Sequence, residues 1–200
     1  MTDGEFTRRR LLELGLALPP LALVASRTGL FEPEKALAAT PMIADADGPT
    51  PALTEGPYFK PRSPLRRTIV PGGTGGTALT LTGRVLTTSG KPVAHALLDF
   101  WQADARGAYD NSGFRFRGHQ FTDANGRYSL TTVVPGLYPG RTKHIHVKVQ
   151  RRGGAVLTTQ LYFPGVVRNG ADSIFQSALL VRTWRKVGSR RAARFDFVLA

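Results

Sequence analysis

His144-Ile145-His146-Val147-Lys148-Val149-Gln150, then Arg151-Arg152-Gly153-Gly154, then Val156-Leu157-Thr158-Thr159-Gln160-Leu161-Tyr162-Phe163, is the stretch on which the fold turns. Its first segment alternates with a period of two residues. Ile145, Val147 and Val149 project to one side, and His144, His146 and Lys148 to the other. That alternation is a β-strand pattern, because successive strand side chains point to opposite faces. The Arg-Arg-Gly-Gly step supplies a turn, and the Val156–Phe163 segment returns as a second strand.

Working outward, the same rhythm recurs. Leu79-Thr80-Leu81-Thr82-Gly83-Arg84-Val85 alternates, and Ser89-Gly90-Lys91-Pro92 reads as a turn. Val93 to Gln102 reads as a strand with Trp101 near its end. Gln120-Phe121-Thr122 and Arg127 to Val134 flank Asp123-Ala124-Asn125-Gly126, which predicts a β-hairpin. Ala193 to Leu199 can supply a closing strand, and residues 171–181 have room for a short helix. Seven or so short strands at close spacing imply an all-β fold, an antiparallel β-sandwich over residues 77–200. Residues 39–76 are rich in Pro and Gly and read as a long irregular N-terminal arm. Thr54-Glu55-Gly56-Pro57-Tyr58-Phe59 is its one patterned island. Gly72-Gly73-Thr74-Gly75-Gly76 is a hinge and not a phosphate loop, since no Lys-Ser/Thr and no helix follow it.

Two hundred residues suit one domain with a sizeable core. With no Cys, the chain has no disulfide, thiolate metal site or cysteine nucleophile. Any metal site must be built from His, Tyr, Asp or Glu. The net charge is +13, and residues 1–38 contribute five basic and five acidic side chains, so the excess lies in residues 39–200. No Lys/Arg block with interleaved aromatics accompanies it, which argues against nucleic acid as a partner. A basic surface would also attract an anionic small molecule.

Thr7-Arg8-Arg9-Arg10-Leu11-Leu12 precedes an apolar run from Leu14 to Val24. A charged region followed by a short apolar run is the pattern of a signal peptide, and the paired arginines fit the twin-arginine variety. Residues 1–38 are therefore expected to direct export to the periplasm or outside the cell. Ala36-Leu37-Ala38 offers a cleavage site, with Ala25 as an alternative. The apolar run is too short and too interrupted by Pro to span a membrane, which takes ~20 apolar residues.

Side chains two apart on a strand share a face, so His144 and His146 project together and can reach one metal ion as neutral imidazoles. Alone, that spacing also describes two ordinary histidines. Pro135-Gly136-Leu137-Tyr138-Pro139-Gly140-Arg141 is a rigid loop just before this strand, and it brings a phenol and a guanidinium near the imidazoles. Read by themselves, Tyr138 fits a core tyrosine and Arg141 a surface cation. Tyr109 lies in a loop after a strand end.

The chain resembles the intradiol ring-cleavage dioxygenases, in particular their protocatechuate 3,4-dioxygenase-like branch. The resemblance is carried, in unbroken order, by Trp101-Gln102-Ala103-Asp104 with Gly107-Ala108-Tyr109, by Thr122 through Tyr128, by Pro135 through Pro139, by Arg141 with His144-Ile145-His146, and by Thr159 through Phe163. It implies an iron(III) ion held by Tyr109, Tyr138, His144 and His146, and cleavage of a catechol-type ring by dioxygen to a cis,cis-muconate-type diacid. It further implies that Tyr138 leaves the metal as a base and that Arg141 stabilises charge on the substrate ring. Gln160 matches a supporting polar group and Tyr58 a residue lining the substrate pocket. Where relatives often carry a bulky aromatic, this chain has Gly140, and the loop from Tyr138 to His144 is short; both suggest a more open pocket. Residues 39–76 cannot supply the helical dimerisation domain of catechol dioxygenases, which leaves homo-oligomerisation by another route open.

Rival readings exist. The strand pattern and the Asp-Gly turn also resemble transthyretin-like and carboxypeptidase-regulatory-like binding modules, which need no metal. Such a module has no reason to hold Tyr109, Arg141, His144 and His146 together. A zinc or copper site on His144 and His146 would need a further carboxylate and leaves both tyrosines unexplained. His95 and His119 read as packed or edge histidines. The Asp123–Gly126 turn lacks the acidic ligands of a calcium loop.

Overall fold

Nine strands form two sheets in the computed structural model, which describes residues 48–200. The export signal expected over residues 1–38 and the first part of the arm lie outside the described residues. The strands are β1 (Ala78–Thr87), β2 (Leu97–Trp101), β3 (Arg117–Phe121), β4 (Arg127–Val133), β5 (His144–Gln150), β6 (Val156–Tyr162), β7 (Arg182–Val187), β8 (Arg190–Arg194) and β9 (Phe197–Leu199).

One sheet runs β3-β2-β5-β6 and is antiparallel throughout. The other runs β4-β1-β8-β7, with β9 also paired to β1. In this second sheet β8 and β9 lie parallel to β1, so only part of it follows the expected antiparallel pattern. The closing strand expected at Ala193–Leu199 is two short strands, broken at Phe195-Asp196, where Asp196 Oδ1 accepts the N–H of Arg84 at 2.8 Å.

The core lies between the sheets. The alternating positions Leu79, Leu81 and Val85 of β1, Leu98 and Phe100 of β2, and Tyr128 and Leu130 of β4 are buried there, with Ile145, Val147 and Val149 of β5. Burying each large apolar side chain contributes roughly 1.5–3 kcal/mol. Because those β5 residues face inward, His144, His146 and Lys148 face away from the core, on the outer side of their sheet.

The hairpin expected around Asp123–Gly126 is a correction. The turn itself forms, with Gly126 N–H donating to Asp123 O at 3.0 Å. Its two flanking strands belong to different sheets, however: β3 pairs with β2, and β4 pairs with β1. Thr122 redirects the chain. Its backbone N–H donates to Ala96 O at 3.0 Å and its carbonyl accepts His95 N–H at 3.3 Å, while its hydroxyl accepts the N–H of Ala96 at 2.8 Å and donates to Val93 O at 2.7 Å, so its bonds run to the preceding segment. The expected helix at 171–181 is also absent: single 3-10 turns occur at Val167–Ala171 and Ser177–Leu179.

The arm packs along the sandwich. Ile69 is fully buried in the core. Leu53 N–H donates to Thr158 O at 2.8 Å, the Thr159 hydroxyl donates to Pro51 O at 2.7 Å, and Thr50 N–H donates to Val198 O at 2.9 Å. Residues 50–60 thereby cross the outer side of the β3-β2-β5-β6 sheet, over the histidine strand. Among the described residues no helix is long and apolar enough to cross a membrane.

Candidate metal centre

His144 and His146 are buried, and their Nε2 atoms lie 3.0 Å apart. Strand register stacks the His146 ring on Trp101 of β2, with centroids 4.8 Å apart and planes within 6°. Gly56 of the arm packs against the same ring: a Cβ there would lie 3.4 Å from His146 Cε1. Burial lowers the pKa of His144 to about 4 and holds that of His146 well below its ordinary value, so both rings are neutral at pH 7.

Tyr109 and Tyr138 come from two loops that lock together. Asp104 organises the first loop, its Oδ1 accepting the N–H groups of Arg106 at 2.8 Å and Ala108 at 2.9 Å. Its carbonyl accepts Gly136 N–H of the second loop at 2.8 Å. The loops touch through glycine: a Cβ on Gly107 would stand 2.0 Å from Leu137 O. This brings the two tyrosine rings to 5.8 Å, nearly perpendicular, and sets Tyr109 Oη 3.2 Å from His144 Nε2. Burial pushes the Tyr109 hydroxyl well above its ordinary pKa, so without a cation it stays a phenol.

Tyr58 completes the aromatic cluster. Its ring stacks on Tyr109 at 4.4 Å, and its hydroxyl lies 2.9 Å from that of Tyr138. Arg117, almost fully buried, fixes this segment. Its Nη1 donates to Tyr58 O at 2.5 Å, and its Nε and Nη2 donate to Asp110 O at 3.2 and 3.0 Å. Lys60 Nζ donates to Ser112 O and Gly113 O at 3.0 and 2.8 Å, tying the arm to the same loop.

Arg141 is held from two sides. Its Nε pairs with Asp172 Oδ2 at 2.9 Å, and its Nη2 donates to Gln160 Oε1 at 2.6 Å. Gln160 in turn donates to Thr54 O of the arm at 3.0 Å. Burial works to raise the pKa of Asp172, but the N–H groups of Thr142 and Ile174 and the Arg141 guanidinium outweigh it and hold the carboxylate below its usual range.

All seven residues singled out in the sequence (Tyr58, Tyr109, Tyr138, Arg141, His144, His146 and Gln160) meet in this one region. The sequence reading missed Arg117 and Asp172. Arg117 precedes Gly118, which is tight against Ile69 and Arg66, and that pair was the available signal. Asp172 had none, since it lay in the stretch read as helix.

The donors fit a metal ion. His144 Nδ1 faces Thr142 O at 2.7 Å, and a carbonyl only accepts, so Nδ1 carries the hydrogen and Nε2 a lone pair. His146 Nδ1 is buried without a partner among the described residues. If it carries the hydrogen of that ring, two Nε2 lone pairs face each other at 3.0 Å; if not, it is a bare acceptor in a dry site. A cation shared by the two Nε2 atoms resolves the first arrangement. Donors bound about 2.0–2.1 Å from one ion at right angles stand about 3 Å apart, which matches the 3.0 and 3.2 Å separations. Among the described residues no three His, Cys, Asp or Glu side chains converge, so a metal here depends on the tyrosines. That also removes the carboxylate a zinc or copper reading required.

A family model described as Dioxygenase matches residues 54–200. The chain belongs to the intradiol ring-cleavage dioxygenase family. It is 39% identical over 119 residues to a protocatechuate 3,4-dioxygenase beta chain from Burkholderia cepacia, a match that covers 50% of this chain and 51% of the relative. Among solved structures it is similar to the dioxygenase domain of a dioxygenase carbohydrate-binding protein fusion from Streptomyces sp. SirexAA-E. The identity is 58% and the TM-score 0.74, over 76% of this chain and 98% of that one. A 3-chlorocatechol 1,2-dioxygenase from Rhodococcus opacus matches at 30% identity and a TM-score of 0.70, over 78% of this chain and 74% of that one. This chain spans about half the length of the first curated relatives of the family.

Proposed function

We propose that this chain is a non-haem iron(III)-dependent intradiol dioxygenase that inserts both atoms of dioxygen into a catechol-type ring and yields a cis,cis-muconate-type diacid. One observation carries the reading: His144 Nε2 lies 3.2 Å from Tyr109 Oη and 3.0 Å from His146 Nε2, and the ring of a second tyrosine, Tyr138, stands 5.8 Å from that of Tyr109. Two phenols with two imidazoles are a hard to borderline donor set that favours a trivalent ion, and only a metal would strip a proton from the buried Tyr109 at neutral pH. When bound, the ferric ion supplies a Lewis acid that holds the catechol as a dianion and opens its ring to dioxygen.

The chain's own groups do the rest. His144 is oriented by Thr142 O, and His146 by Trp101 and Gly56. Tyr138, a phenolate when the ion is bound, would take one of the two catechol protons at its Oη as the substrate enters, and a hydroxide drawn from solvent would take the other. The Tyr58 hydroxyl, 2.9 Å away, holds the freed Tyr138 by a hydrogen bond. Arg141, fixed by Asp172 and Gln160, directs positive charge toward the ring as it becomes anionic.

Iron-loaded protein is expected to be red-brown, from tyrosinate-to-iron charge transfer. Tyr109→Phe and Tyr138→Phe should each shift the band. A colourless protein that retains stoichiometric zinc would sink the iron reading. Oxygen uptake on catechol, protocatechuate, hydroxyquinol and chlorinated catechols then ranks substrates.

The same proposal includes twin-arginine export, on the strength of Arg8-Arg9 ahead of the apolar run Leu14–Val24. Replacing both arginines by lysine should retain the protein in the cytoplasm; unchanged export would defeat that part alone.

A further inference from the structure

The outer face of the second sheet, on the far side of the sandwich from the metal centre, holds a cavity of about 430 Å³. Arg67, Arg84, Arg127 and Arg194 line it, with the hydroxyls of Thr82 and Ser129. Strand alternation puts them there. Thr82 and Arg84 of β1 and Arg127 and Ser129 of β4 are the outward positions, while their neighbours Leu81, Val85, Tyr128 and Leu130 fill the core.

Register then concentrates the charge. Arg84 is directly opposite Arg127, and Thr82 lies between Ser129 on one side and Arg194 on the other. Arg67 runs beside β4, where its carbonyl accepts Thr131 N–H at 2.9 Å. Like charges opposite each other destabilise a strand pair. The two nearby carboxylates are committed to local bonds. Asp123 Oδ1 accepts the N–H groups of Asn125 and Arg127 at 2.9 and 2.8 Å, which holds its turn. Asp196 takes Arg84 N–H on Oδ1 and Arg194 Nη2 on Oδ2, at 2.8 and 3.0 Å. Arg194 pairs with Asp196, while Arg67 and Arg127 face the single carboxylate of Asp123 across the cavity. Guanidinium forks match the geometry of phosphate and carboxylate, and the volume falls in the range of small-molecule sites.

We propose that this cavity is a second ligand site, separate from the metal centre, for a small molecule bearing two or more oxyanion groups. Phosphates and carboxylates share the required chemistry.

The test is calorimetry on the full-length, iron-loaded protein, with pyrophosphate and citrate as probes and ionic strength held constant with sodium chloride. Arg67→Ala with Arg127→Ala removes two cavity charges; both residues are exposed and the Arg67 contact to Thr131 is through backbone, so the fold is preserved. Arg151→Ala with Arg152→Ala removes equal charge from the β5–β6 turn. Wild type and the turn variant should bind one equivalent of at least one probe, and the cavity variant should lose about tenfold or more in affinity. Tighter pyrophosphate marks a phosphate ligand, and tighter citrate a carboxylate one. Absence of saturable binding, equal loss in both variants, or binding that shifts the iron colour band would overturn the proposal.

Discussion

Gly107 and Gly136 meet backbone against backbone: a Cβ on Gly136 would lie 2.3 Å from the Gly107 nitrogen. Each belongs to a loop carrying one of the two tyrosines of the candidate metal centre. The spacing of those phenols is therefore set by the absence of two side chains and not by any bond between the rings.

Gly107→Ala should separate the loops. The position has φ +92, which alanine adopts only under strain, and the new methyl would collide with Leu137 O. A loss of at least about 2 kcal/mol in chemical denaturation is expected. The iron content of the purified protein should fall with it. Full iron occupancy in a stable variant would show that the loops do not set the site.

Asp172→Asn should leave the metal centre intact and loosen Arg141. The carboxylate is nearly fully buried and makes the Nε contact of that arginine at 2.9 Å. Weakening a charge-assisted bond of this kind costs about 2 kcal/mol, or roughly 30-fold in kcat/KM. The iron colour band should be unchanged. Wild-type turnover in this variant would remove Asp172 from the account of the site.

Arg117→Lys should not be conservative. The guanidinium satisfies Tyr58 O and Asp110 O together, while a lysine ammonium lacks the planar fork to reach both. A destabilisation of about 2 kcal/mol is expected from the carbonyl left unpaired in a partly buried position. The check is urea denaturation; a midpoint equal to wild type would contradict it.

Asp99→Asn should stabilise the protein at neutral pH. Burial raises the Asp99 pKa above its ordinary value despite the hydrogen bond from the Ser63 hydroxyl at 2.7 Å. The folded state then binds more protons than the unfolded state in the window above pH 3.8, so stability falls as pH rises through that window. Asparagine keeps an acceptor for Ser63 and carries no charge. Its advantage in melting temperature should be present at pH 7 and vanish below about pH 3.8. A wild type more stable than the variant at pH 7 would reverse the sign of the argument.

Much of the sandwich was legible because burial on one face writes a period of two into β1, β4 and β5. The partner of each strand was less legible. The Asp123–Gly126 turn has local hairpin chemistry, yet Thr122 diverts the chain between sheets through bonds to Val93 and Ala96, more than twenty residues earlier. The β7–β8 pair was not legible because five of the six residues of Arg182–Val187 are exposed and neither strand alternates. In the site, His144 and His146 follow from strand geometry, and Tyr138 and Arg141 from proximity in the chain. Tyr109 was reached only through family resemblance, since nothing within its own loop reveals that Gly107 meets Gly136. Asp172 and Arg117 act through partners 31 and 59 residues away, a distance at which charge alone carries no address.

Thr50 and Val198 exchange hydrogen bonds across 148 residues: Thr50 N–H donates to Val198 O, and Val198 N–H donates to the Thr50 hydroxyl. During synthesis at about 5–20 residues per second, residue 50 leaves the ribosome roughly 7–30 s before residue 198. The segment that carries Gly56 and Tyr58 over the histidines therefore waits for the last strand before that anchor can close. A nascent chain halted before residue 197 would have made all four tyrosine and histidine donors and the bonds of Pro51, Leu53 and Thr54 to β6, yet would lack the outermost anchor of the cover.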